Sequence, residues 1–170
     1  MPSSVTARAA IPLAFLLGAC APPDLPAGTT SLDPVAFFTG DTRGNGTLDP
    51  IVGKTVPVTV ESRGVRQGDT LTLTQRIVEG TKPPRTRVWT IRTLPSGGYL
   101  STLTDAKGMV SIDLRGPRAY LGYTTPSGIK IKQELALQPD GSTILNRLEA
   151  YKFGIRVATL HETIRKPVAQ

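Results

Sequence analysis

The 170-residue sequence predicts an all-β protein, a single antiparallel up-and-down β-barrel of eight or nine strands. Three observations carry that prediction. From Ser31 onward, short runs alternate apolar and polar residues with a period of two, and no amphipathic helical stretch of useful length intervenes. The runs are rich in β-branched residues, with 22 threonines in the chain, as suits a pleated, half-buried surface. Turn residues recur at close intervals, and short links between consecutive strands favour an antiparallel meander, which removes its exposed edges by closing on itself.

Strands are expected at 46–62, 69–79, 85–94, 98–105, 109–115, 118–125, 128–138, 143–152 and 154–165, within the barrel domain 32–166 and ahead of a short tail at 167–170. Turn signals separate them, among them Arg63-Gly64, Gln67-Gly68-Asp69, Lys82-Pro83-Pro84, Gly116-Pro117 and Pro139-Asp140-Gly141. Alternation assigns the faces. Val56, Val58 and Val60 lie together, as do Leu71, Leu73 and Ile77, with Thr70, Thr72 and Thr74 opposite. Val110, Ile112 and Leu114 oppose Ser111 and Asp113, and Ile129, Ile131, Leu135 and Leu137 oppose Lys130, Lys132 and Glu134. The polar faces carry charges, where a lipid-spanning strand would show an apolar band.

Residues 1–19 read as a secretory signal: Arg8, an apolar run from Ala9 to Leu17, then Gly18 and Ala19. The run is about half of the roughly 20 residues that a membrane-spanning helix needs. Leu17-Gly18-Ala19-Cys20 has the form of a bacterial lipobox, so Cys20 is expected to carry a diacylglyceryl group after cleavage before it. The Pro- and Gly-rich stretch that follows, within residues 20–31, is suited to a flexible tether between that anchor and the folded body. Cleavage leaves a mature chain of 151 residues and lowers the net charge from +7 to +6 through loss of Arg8. Ala21, rather than Asp, after the cysteine is a pattern of lipoproteins sent to an outer membrane facing the periplasm, where the cell has two membranes.

Phe37-Phe38-Thr39-Gly40-Asp41-Thr42-Arg43-Gly44-Asn45-Gly46, then Asp69-Thr70-Leu71-Thr72-Leu73-Thr74-Gln75, Arg87-Val88-Trp89-Thr90-Ile91, Asn146-Arg147 and Lys152-Phe153-Gly154-Ile155 resemble the bacterial lipoprotein family catalogued as domain of unknown function 3833. The resemblance runs from about Phe37 to Arg165 and implies a lipocalin-like barrel and an envelope location, with no activity attached. The Pro83-Pro84 pair and the loosely matching 105–128 depart from the family pattern, which leaves the rim of any shared pocket open.

With one Cys and one His, the chain excludes an internal disulfide, a Cys/His zinc cluster and a two-His metal helix. Asp41-Thr42-Arg43-Gly44-Asn45-Gly46 with Asp49 imitates a calcium loop, but Arg43 stands where a ligand belongs and Val52 replaces the bidentate Glu. It reads instead as a Gly-rich entry into the first strand. His161 has no nucleophile elbow to serve, and no spacing pairs the sparse carboxylates Asp69, Asp105, Asp113, Glu134, Glu149 and Glu162. No catalytic motif, cofactor or metal is implied. Nucleic acid is an unsuitable partner for an exported chain with few aromatics to stack on bases, and the basic residues are scattered along the sequence.

The informative group is polar residues in apolar rows. Gln75 sits between Leu73 and Ile77, Gln133 between Ile131 and Leu135, and Asn146 between Ile144 and Leu148, while Arg87 shares a face with Trp89 and Ile91. Buried amides and guanidinium groups are costly unless hydrogen-bonded. They either satisfy one another and close the barrel, or line a pocket that orients the polar end of a lipid or small amphiphile. The expected function is therefore non-enzymatic binding or carriage of such a ligand by an envelope lipoprotein, with Gln75, Arg87, Trp89, Gln133 and Asn146 as candidate pocket residues. The alternative is a structural lipoprotein with a packed barrel that docks an envelope partner.

Overall fold

The computed structural model describes residues 22–167; the signal and lipidation expectations at residues 1–20 lie outside them. One short helix, α1 (Pro34–Phe38), precedes ten strands: β1 (Gly40–Pro50), β2 (Val56–Gln67), β3 (Thr70–Glu79), β4 (Arg85–Thr93), β5 (Tyr99–Leu103), β6 (Met109–Arg115), β7 (Arg118–Thr124), β8 (Lys130–Leu137), β9 (Thr143–Lys152) and β10 (Ile155–Arg165). Each strand pairs antiparallel with the next, and β1 pairs with β10, from Arg43 opposite Arg165 to Pro50 opposite Ala158. The ring is closed. It satisfies its own ladders and encloses its own core, so residues 22–167 form a self-contained folding unit.

The up-and-down barrel stands, with ten strands rather than eight or nine. The segment 46–62 is two strands joined by a turn at 51–55, with Gly53 at φ +118°. The stretch read as an entry loop is the first strand itself. Its inward positions are Thr42, Gly44, Gly46 and Leu48, which give almost no apolar alternation to read. The glycines are there for space. A Cβ on Gly46 would lie 2.1 Å from the His161 carbonyl oxygen, and one on Gly44 would lie 1.7 Å from Glu162 Oε1.

The helix is only five residues long, but its ends are well specified. Asp33 caps it, Oδ1 accepting from the backbone N–H of Val35 at 2.9 Å and of Ala36 at 3.1 Å. Pro34 follows at the first position, where its missing donor costs nothing. Phe37 and Phe38 meet edge to face at 5.0 Å and are buried. The Phe38 carbonyl reaches the β2 backbone at Gly64, where a Cβ would lie 1.8 Å from that oxygen. Lys166 Nζ donates to the Ala36 carbonyl at 3.0 Å. The helix thus closes the barrel end that carries the β2–β3, β4–β5, β6–β7 and β8–β9 turns. The opposite end, with the other five turns, is the mouth.

Within the stretch read as a tether, residues 22–28 lie along the outer wall of β7, β8 and β9. Gly28 N–H donates to Leu137 O at 2.7 Å, Leu25 N–H to Glu134 Oε1 at 2.9 Å, and Arg147 Nη1 to the Pro23 carbonyl at 2.6 Å. Beneath it Glu134, expected on a polar outer face, is buried at 5% exposure. Arg147 pairs with it at 2.6 Å and Arg118 approaches at 3.5 Å, which offsets the cost of removing the charge from water.

Candidate binding cavity

The apolar core fills only part of the barrel. Leu71, Ile91, Ile144 and Ile164 pack around Phe38 at the closed end, and Val58, Val60 and Ile77 form a separate cluster toward the mouth with Leu48 and Leu160. Between and above them is a cavity of about 330 Å³. That is at the lower end of the roughly 300–1,000 Å³ of small-molecule sites. Its wall is mostly apolar side chains from both clusters and from Ile129, Ile131, Leu148 and Ala158.

All five sequence-predicted pocket residues line this one cavity. The structure divides them between two polar walls. On the β2–β4 side, Gln75 Nε2 donates to Ser62 Oγ at 3.0 Å. Gln75 Oε1 accepts from Arg87 Nε at 2.8 Å and Trp89 Nε1 at 2.9 Å. Arg87 Nη1 approaches the Tyr123 hydroxyl at 3.5 Å, and its guanidinium lies 5.7 Å from the Trp89 ring centre. Trp89 and Tyr123 meet edge to face at 6.1 Å. Burial raises the Tyr123 phenol above its ordinary pKa, against the opposing charge of Arg87. This wall is a satisfied network, and it holds Arg87 in place without using all of its donors.

The second wall is different. Gln133 Nε2 donates to Asn146 Oδ1 at 3.0 Å, and Asn146 Nδ2 donates to Glu162 Oε2 at 2.7 Å. The chain stops there. Gln133 Oε1 and Glu162 Oε1 are buried with no hydrogen-bond partner, although both residues are only 8% exposed. A buried acceptor left unmet costs about 1–3 kcal/mol. Burial pushes the Glu162 carboxyl above the usual carboxylate range; the hydrogen bond from Asn146 and the charge of Arg87 oppose that without cancelling it. Gly44 on β1 leaves the space that the carboxyl occupies.

Glu162, Tyr123 and Ser62 belong to this site and are absent from the predicted set. Glu162 is flanked by Leu160 and Ile164, so the same polar-in-apolar-row signal that marks Gln133 and Asn146 also marks it. At the mouth, Glu79, Arg85 and Asp105 join: Arg85 lies 3.0 Å from Glu79 and 2.7 Å from Asp105. Burial acts to raise the Glu79 pKa, but the hydrogen bonds and charges of Arg85 and Lys82 bring it below its ordinary value. His161 is exposed on the outer face and points away from the cavity. Asp41, Arg43 and Asn45 are strand residues with exposed, outward side chains, not a loop.

No functionally curated protein matches the sequence. Among solved structures the fold is similar to that of the S-type phycobiliprotein lyase CPES from Guillardia theta. That match has a TM-score of 0.57 at 7% identity, covering 80% of this chain and 92% of that one. A redesigned β-barrel matches at a TM-score of 0.38 and 16% identity, over 78% of this chain and 94% of the other. The lyase likeness supports a lipocalin-like barrel. The family profile described as "Protein of unknown function (DUF3833)" matches residues 14–166, nearly the whole chain, and the protein belongs to that family.

Proposed function

We propose that this protein is a bacterial envelope lipoprotein, acylated at Cys20, whose barrel binds a lipid or small amphiphile without chemical change. One observation carries the reading: the interior is an apolar cavity of about 330 Å³ with two buried, unpartnered acceptors at mid-depth, Gln133 Oε1 and Glu162 Oε1. A ligand whose polar end donates hydrogen bonds there recovers the cost of both acceptors, and its apolar part replaces water along the Val58, Ile77 and Leu160 wall. Arg87 on the facing wall offers a charge to an anionic portion of the same head group. A hollow barrel also suits a carrier better than a packed scaffold.

The chain beginning at Ala21 is incubated with envelope lipid extract and examined by native mass spectrometry. The expected result is a bound species of one-to-one stoichiometry. Its retention should fall about tenfold in Gln133→Leu, the scale of one hydrogen bond of about 1.4 kcal/mol. Reproducible absence of bound lipid from the folded parent protein would overturn the proposal.

A further inference from the structure

The mouth of the barrel is not uniform. Two adjacent turns, β1–β2 and β9–β10, project apolar side chains that the body of the protein does not cover. Val52 is 86% exposed, Ile51 68%, Phe153 92% and Ile155 63%. The turns lie side by side: β1 pairs with β10 up to Pro50 opposite Ala158, and Ile51 N–H donates to Val157 O at 2.9 Å. Four of the seven large exposed hydrophobic residues described are therefore gathered at one corner. Single exposed apolar residues need no explanation, but a contiguous group does.

Phe153 strengthens the case. It has φ +50°, the only described non-glycine residue with positive φ, and Gly154 follows at +79°. Two left-handed residues make the tight hairpin turn that ordinarily takes Asn-Gly. A bulky aromatic there is strained, and at 92% exposure it gains almost no burial in return.

The charges around this corner are of one predominant sign. Lys54 lies in the β1–β2 turn, Lys152 and Arg156 flank the β9–β10 turn, and Lys130 and Lys132 stand opposite Tyr151 and Glu149 on β8, against Asp49 and Glu149. Glu149 is already paired with Arg156 at 2.8 Å, and Asp49 accepts from the Thr55 hydroxyl. Lys152 Nζ lies 5.3 Å from the Phe153 ring centre, and Lys132 Nζ 5.3 Å from that of Tyr151. Basic residues scattered in the sequence are thus brought together by the fold. An apolar tip ringed by lysines matches the interface of an anionic bilayer, where apolar side chains enter the boundary of head groups and acyl chains while cations meet phosphates.

We propose that this corner is a membrane-docking tip: Ile51, Val52, Phe153 and Ile155 insert into an anionic bilayer surface and hold the cavity mouth against it. The course of the amino-terminal strap agrees. It passes from the closed end at Gly28 to Arg147 at Pro23, heading toward the mouth along β9. Docking at this tip goes beyond cavity binding and does not depend on it.

The test uses the unacylated chain from Ala21 in flotation with phosphatidylcholine vesicles, with and without about 30% phosphatidylglycerol. Phe153→Asn gives the turn its preferred residue, so the fold survives, and Val52→Ser removes a second apolar group. The expected result is binding to the anionic vesicles, weakened by salt and reduced at least about tenfold in either variant. Leu100→Ser, an exposed apolar residue elsewhere, leaves binding unchanged. Equal binding by Phe153→Asn, Val52→Ser and parent, or no binding to anionic vesicles, overturns the proposal. So does a Phe153-dependent dimer in sedimentation velocity without vesicle binding, which assigns the tip to a second copy of the chain. Failure of lipid retention in the native mass experiment leaves this result untouched.

Discussion

Replacing Glu162 by Gln is expected to stabilise the protein at mildly alkaline pH and to do little in acid. In the fold, the carboxyl is 8% exposed and takes one hydrogen bond, from Asn146, while its second oxygen is unmet. Burial therefore raises its folded pKa above the unfolded value of about 4.3. The folded state then holds the proton more tightly than the unfolded one. Stability linked to Glu162 is fully present below the unfolded value and is lost as pH rises through the folded value. An amide of the same shape keeps the oxygen that accepts from Asn146 and never ionises. Taking the cost of the unmet buried acceptor at about 1–2 kcal/mol, Glu162→Gln should raise the melting temperature by about 2–8 °C near pH 8. Near pH 4 the two proteins should melt within about 1 °C of each other. Glu79 and Glu149 titrate with the opposite sign, since the hydrogen bonds and charges of their arginines lower their pKa values against the effect of burial, so their stability is lost as pH falls. They are present in both proteins and cancel in the difference. Thermal unfolding of parent and variant across this range decides the matter. A difference in melting temperature that does not change with pH refutes the reasoning.

Two neighbouring glycines separate backbone from side-chain crowding. Gly46→Ala meets the His161 carbonyl at 2.1 Å and Glu162 Cα at 2.7 Å, so it should cost at least about 2 kcal/mol in urea unfolding; Gly44→Ala meets the end of the Glu162 side chain, which can rotate away, and should cost less. Arg147→Met removes the closest cation from Glu134 and the donor to Pro23. It should destabilise by about 2–4 kcal/mol, Arg118 compensating in part, and should speed proteolysis within residues 22–28.

The strands from β3 onward were readable because their inward positions are apolar and their turns carry Gly, Pro or Asp. β1 was not readable, because the space that Glu162 and the β10 backbone occupy demands glycines, and glycine carries no apolar signal. Gln75, Gln133 and Asn146 stand out as breaks in apolar rows. Glu162 is the same kind of break, between Leu160 and Ile164. The burial of Glu134 depends on a segment more than 100 residues away in sequence. The tip depends on two distant turns lying side by side. Neither leaves a local pattern.

The β1–β10 seam has a kinetic consequence. Nine of the ten ladders join consecutive strands and can form as hairpins, whereas the seam joins Arg43 to Arg165 across most of the chain. Closing so long a loop carries a large entropic cost and returns nothing until both ends meet. The ring is therefore incomplete until the last strand has emerged, and before then it is an open sheet with β1 as an unprotected edge. A fold completed by the eleven-residue strand β10 therefore cannot close until that strand is available to pair on both of its edges.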